Sequence, residues 1–184
     1  MLASTKLLKL FYLFHFSKPA WNRAVYQAVY RRRIRRIVEL GVGTAERGVR
    51  LIEVAGQHCP TGQIAYTGID PFEGRSAGDG LGITLKEAYR KLRATGARIS
   101  LLPGDPVAVF SAAANNLGAA DLVLIAWPMP RSLLPRACYY LQRMLHDGSL
   151  VLLEEHLQRE GAKRVRVLPL DRMRIWAAEF RKAA

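Results

Sequence analysis

A few short stretches carry residue types whose spacing could do chemistry. Glu39-Leu40-Gly41-Val42-Gly43-Thr44-Ala45 stands where an apolar run gives way to a helix-like pattern. Glycines at the end of a buried strand let the backbone approach a ligand closely, and amides at a helix start can hydrogen-bond it. Asp70 closes the next apolar run, 31 residues after Glu39, and Pro71 and Phe72 follow it. A carboxylate at that point can accept both hydroxyls of a ribose; the alternative is a helix cap or an Asp-Pro turn. Phe72 offers a ring either to a base or to the core. Gly104-Asp105 closes a third run, and Glu154-Glu155-His156 closes a fifth. His156 titrates in the range a general base needs, and Glu155 would orient it or hold a cationic group. The same charged cluster also reads as solvated loop.

These residues need a scaffold that brings strand ends together. Apolar runs at 37–40, 64–69, 98–102, 121–126 and 149–153 alternate with amphipathic stretches at about 44–58, 84–94, 107–115 and 133–145. The runs are short and continuous rather than alternating, as in strands buried on both faces of a parallel sheet. Repeated strand–helix units with short connections predict an α/β, doubly wound, mostly parallel sheet with helices on both faces. Two helices are expected before it, at 7–16 and 21–30. After it, Lys163 to Pro169 and Met173 to Ala178 alternate apolar and basic residues. That alternation predicts an antiparallel edge hairpin. The expected organisation is one domain over 1–184, with a helical extension at 1–35, a cofactor-binding core at 36–156 and edge strands at 157–184.

Three cofactor classes compete for the glycine loop. A phosphate-binding loop would need Lys-Ser or Lys-Thr after Gly48, where Val49 and Arg50 stand; it is excluded. A dinucleotide fingerprint would need Gly at position 46, where Glu stands. The third option fits better. Glu39-Leu40-Gly41-Val42-Gly43, with Ala45 at a third small position, resembles motif I of the class I S-adenosylmethionine-dependent methyltransferases. Ile69-Asp70 and Gly104-Asp105 resemble the acids that follow the second and third strands in that family. The resemblance covers about residues 36–156. It implies S-adenosylmethionine as cofactor, held by Glu39, Gly41, Val42, Gly43, Thr44, Asp70, Pro71, Phe72, Gly104, Asp105, Ala126 and Trp127. In that family the loop wraps the methionine and ribose, and the third acid meets the adenine amino group. Ala126 stands where the metal-dependent catechol-type members place an Asp, so no metal site is expected. Trp127 lines either the site or the core. The rival readings are a catalytically degenerate module of the same fold that binds nucleic acid or another polyanion, and an NAD-dependent oxidoreductase.

Composition narrows the partners. The net charge of +13 favours anionic ones: nucleic acid, phosphorylated metabolites or lipid headgroups. No aromatic-interleaved RNA motif accompanies the Arg31–Arg36 run, and a small anionic acceptor is the expected substrate. Cys59 and Cys138 lack metal-ligand spacing, and a reducing cytoplasm suits them. The apolar run 7–16 is shorter than the roughly 20 residues of a membrane span. With Lys6 and Lys9 on one face it predicts an amphipathic helix packed on the domain, or lying on a membrane surface.

Overall fold

Each apolar run between residues 36 and 156 is a strand in the computed structural model, which describes residues 2–76, 81–115, 117–126, 131–156 and 163–183. The strands are β1 (Arg36–Leu40), β2 (Ala65–Asp70), β3 (Arg98–Pro103), β4 (Ala120–Ile125), β5 (Leu145–His156) and β6 (Lys163–Val167). They form one sheet in the order β3-β2-β1-β4-β5-β6. All neighbours are parallel except β5 and β6. The central strands feed two cores by alternation. Ile37, Leu122 and Leu124 face one layer, and Val38, Val123 and Ile125 face the other.

The first layer holds α1 (Leu2–His15), α2 (Asn22–Arg32), α3 (Glu46–Ala55) and α4 (Leu85–Arg93), whose Leu13, Val25, Leu51 and Leu92 are buried together. The second holds α5 (Pro106–Ala113), α6 (Leu134–Leu141) and α7 (Leu170–Ala183), which bury Phe110, Leu141 and Met173. Local signals fix several helix starts. Thr84 and Glu87 form a reciprocal capping box on α4. On α5, Asp105 caps the Val107 and Ala108 amides, with Pro106 just inside the helix.

The tail corrects one expectation. β6 pairs antiparallel with β5, from Leu152↔Val167 to His156↔Lys163, so the edge hairpin exists between those two strands. Residues 173–178, expected as its second strand, lie within helix α7. The reason is periodicity. Within α7 Met173 and Ala177 are buried and Trp176 is partly so, a three-to-four residue spacing that the Arg172-Met173-Arg174-Ile175 alternation hides.

The strand order reverses between β1 and β4. A ligand site in an open α/β sheet lies at the carboxyl ends of the strands beside that point. The Arg31–Arg36 run leads from α2 into the first residue of β1 and sits at the opposite, amino end of that strand.

Candidate functional site

The chain leaves β1 at Gly41, which takes a φ of +89°, and Gly43 follows at +59°. Both are backbone conformations that L side chains rarely adopt. The Gly41 amide bonds to Ile69 O at 2.8 Å and the Ala126 amide to Leu40 O at 2.8 Å. The ends of β1, β2 and β4 are thereby tied to one level. A cavity of about 350 Å³ opens there, within the size range of small-molecule sites. Its floor includes Gly41, Val42, Gly43, Thr44 and Ala126. Its walls bring in Lys18, Trp21 and Tyr26 from the N-terminal helical segment, Arg47 and Arg50 from α3, and Glu154 and Lys163 from the hairpin.

Two acids expected at the site are buried, and an arginine covers each. Glu39 is fully buried; it accepts from Arg47 Nε at 2.7 Å and from the Tyr66 hydroxyl at 2.5 Å. Arg47 reaches on to Glu154 Oε2 at 2.7 Å and to Gly41 O at 3.3 Å. Lys163 closes the chain on Glu154 Oε1 at 2.6 Å. Burial alone would lower the Arg47 pKa, but Glu39 and Glu154 outweigh it and hold the guanidinium charged. Burial would likewise raise the Glu154 pKa, yet Arg47 and Lys163 pull it below the ordinary carboxylate value. Burial and the Glu39 charge push the Tyr66 phenol well above its usual value.

Asp70 is buried at the end of β2. Its Oδ2 accepts from the Gly43 amide at 3.0 Å, and its Oδ1 from the Phe72 amide at 2.8 Å. Arg75 Nε adds a bond to Oδ1 at 2.9 Å, and Arg75 Nη2 bonds to Oδ2. Two oxygens offer about four acceptor positions, and these four bonds fill them.

The other expected residues are more dispersed. Phe72 is 2% exposed and packs in the helix layer rather than opening to the cavity. Pro71 is half-buried beside it. Gly104 has a φ of +130°, and Asp105 is exposed, with one carboxylate oxygen spent on the α5 cap. Glu155 does not line the cavity; its carboxylate pairs with Arg164 at 2.8 Å and Arg166 at 3.2 Å. His156 ends β5, paired in register with Lys163; its side chain lies outside the described residues, as does Trp127. Among the described residues, no cluster of three His, Cys, Asp or Glu could hold a metal.

Sequence reasoning passed over Arg47, Arg75 and Tyr26, and gave Glu154 no role of its own within the Glu154-Glu155-His156 cluster. A signal for Arg47 existed: a cation in the first turn of α3 opposes the helix dipole and needs a partner elsewhere. Tyr26 is fully buried and lines the cavity beside Arg50, and its hydroxyl proton meets no acceptor among the described residues. Burial raises its pKa, against the opposing pull of Arg50, so the phenol stays a donor.

Solved structures that align with the chain decide the fold. The O-methyltransferase TomG from Streptomyces achromogenes, involved in tomaymycin synthesis and solved with S-adenosylmethionine, aligns at TM-score 0.56 and 14% identity. The fold is that of the class I S-adenosylmethionine-dependent methyltransferases. The TomG alignment covers 81% of this chain and 64% of TomG, and the chain spans 53% of the length of the Podospora anserina methyltransferase PaMTH1. A Bacillus cereus O-methyltransferase solved with S-adenosylhomocysteine aligns at TM-score 0.57 and 11% identity, over 98% of this chain and 80% of that one. CalS11, a TDP-rhamnose 3'-O-methyltransferase of calicheamicin biosynthesis, aligns at 0.58 and 16%, over 89% and 93%. No protein-family model and no curated protein matches the chain.

Proposed function

We propose that this protein is a cytoplasmic S-adenosylmethionine-dependent methyltransferase acting on a small anionic acceptor. One observation carries the reading. The cavity at the β1/β4 switch point is floored by the glycine loop, and the Gly43 amide of that loop is bonded to Asp70, the acid that this reading assigns to the ribose. The residues fit such a cofactor at three points. A Cβ at Gly43 would stand 3.4 Å from Leu81 O, in a conformation strained for any side chain. The Tyr26 hydroxyl awaits an acceptor. Asp70 becomes available when Arg75 turns away. The bound cofactor would supply an activated methyl group, leaving the protein to align the acceptor and handle its proton.

Arg50 and Lys18 face the cavity and would draw an anionic acceptor toward it. Glu154, held ionised by two cations, is a weak base. His156, two residues further along β5, is the base in this reading. Hydrogen exchange with and without S-adenosylhomocysteine tests it. Slowed exchange at residues 41–48 and 70–76 is expected; unchanged exchange there would count against it.

A second reading has one observation in its favour: Arg47 and Arg75 already neutralise Glu39 and Asp70. In that case the cavity takes an anionic ligand directly and no methyl group is transferred. Protection of the same segments by inorganic phosphate, and not by S-adenosylhomocysteine, is its signature.

A further inference from the structure

The N-terminal helix is apolar on two faces, and only one is packed. Leu10 and Leu13 are buried, and Phe14 meets Tyr30 with ring centroids 5.5 Å apart. On the other side Leu7, Leu8, Phe11, Tyr12 and Phe16 are between 52% and 73% exposed. They recur at the one- and four-residue spacing of a continuous helical stripe. His15 sits among them, its ring 4.9 Å from that of Phe11, and Phe11 lies 5.7 Å from Phe16. An exposed patch of adjoining leucines and aromatics marks an interaction surface.

Charge identifies what covers it. Residues 1–38 hold nine of the chain's 28 Lys and Arg and none of its 15 Asp and Glu. Arg31, Arg32, Arg33, Arg35 and Arg36, from the last turn of α2 to the first residue of β1, are all exposed. A second copy docked through this segment would bring together two surfaces that stay basic even with Lys9 paired to Glu53, which is repulsive. A nucleic acid would satisfy the arginines and leave the stripe in water. An anionic bilayer satisfies both, because acidic headgroups lie directly over apolar chains. No helix among the described residues is long and apolar enough to cross a membrane, so α1 would lie in the interface.

We propose that α1 docks this protein on anionic membrane surfaces, with Leu7, Leu8, Phe11, Tyr12 and Phe16 entering the headgroup boundary and the basic residues of 1–38 reading the headgroup charge.

Co-sedimentation of the full chain with phosphatidylcholine vesicles, with and without phosphatidylglycerol, tests this. The expected result is at least roughly tenfold stronger partitioning onto the acidic vesicles, weakened by salt. Leu8→Ser with Phe11→Ser should abolish it while leaving thermal unfolding intact, because both side chains are exposed. Arg31→Glu should weaken it without changing the fold. Equal partitioning onto both vesicles, or none, overturns the proposal. So does tight binding to DNA that survives the double substitution when no vesicle is bound. A dimer in sedimentation equilibrium that the double substitution splits, again without vesicle binding, would assign the stripe to a second copy.

Discussion

Arg75 covers Asp70 at the carboxyl end of β2, bonding to both oxygens of a carboxylate that also ties down the amides of Gly43 and Phe72. A ribose can use Asp70 only by displacing the guanidinium. Arg75→Gln should therefore bind S-adenosylhomocysteine more tightly, by about tenfold or roughly 1.4 kcal/mol, while the ligand-free protein loses stability. Asp70→Ala should weaken the same ligand by roughly 1–3 kcal/mol. Calorimetry on both variants checks the pair; a weaker-binding Arg75→Gln would show that Arg75 assists the ligand instead.

Arg47 is the only link between the buried Glu39 and Glu154 carboxylates among the described ion pairs. Its removal leaves the buried Glu39 carboxylate without a cation, while Glu154 keeps Lys163. Arg47→Ala should cost about 3–5 kcal/mol in urea unfolding. A loss below about 1 kcal/mol, the scale of surface pairs, would mean that water reaches both acids.

Acid should destabilise the protein through Glu154. Its pKa lies lower in the folded state than the ordinary value near 4.3. The unfolded chain therefore binds the proton first as pH falls. The stabilisation is present above about pH 4.3 and is lost as pH drops through the lower folded value. Asp121 adds a contribution of the same sign: burial would raise its pKa, but the Arg35 and Arg36 amides and His146 bring it below normal. Glu154→Gln should be less stable at neutral pH and show a shallower fall between about pH 5 and 3. An unchanged slope would take Glu154 out of the linkage.

Gly48 offers a test of opposite sign to helix propensity. Alanine in a helix usually gains about 1 kcal/mol over glycine. Here the added Cβ would stand 2.7 Å from the Tyr66 hydroxyl and 3.0 Å from Leu92 Cδ2, forcing the phenol off Glu39. Gly48→Ala should lose about 1–3 kcal/mol in thermal unfolding. Gly62→Ala, with nothing within 4 Å of its Cβ, should be close to neutral.

The parallel sheet was legible because strands such as Leu122–Ile125 are apolar on both faces, which few other elements require. The tail was less so. Met173 and Ile175 alternate with arginine as a strand would, and only the burial of Met173 and Ala177, with Trp176 partly so, reveals helix α7. β5 also begins earlier than its apolar run. Asp147-Gly148 reads as a stop, but Ser149 Oγ donates to Ala120 O and accepts the His146 amide, stitching 145–148 to β4 across a register shift. At the site, the glycine loop and Asp70 were visible because their chemistry depends on local sequence. The arginines over the two acids are near in sequence, Arg47 eight residues from Glu39 and Arg75 five from Asp70, but no periodicity fixes where such a side chain turns, and the Arg47 bond to Glu154 across 107 residues is defined only by the folded sheet.

The most direct test of the proposed cofactor site is calorimetric titration of the wild-type chain with S-adenosylmethionine, S-adenosylhomocysteine and NAD. Micromolar binding of both adenosyl ligands, one per chain and without NAD binding, is the expected result. Binding of NAD alone, or of none of the three, would contradict it.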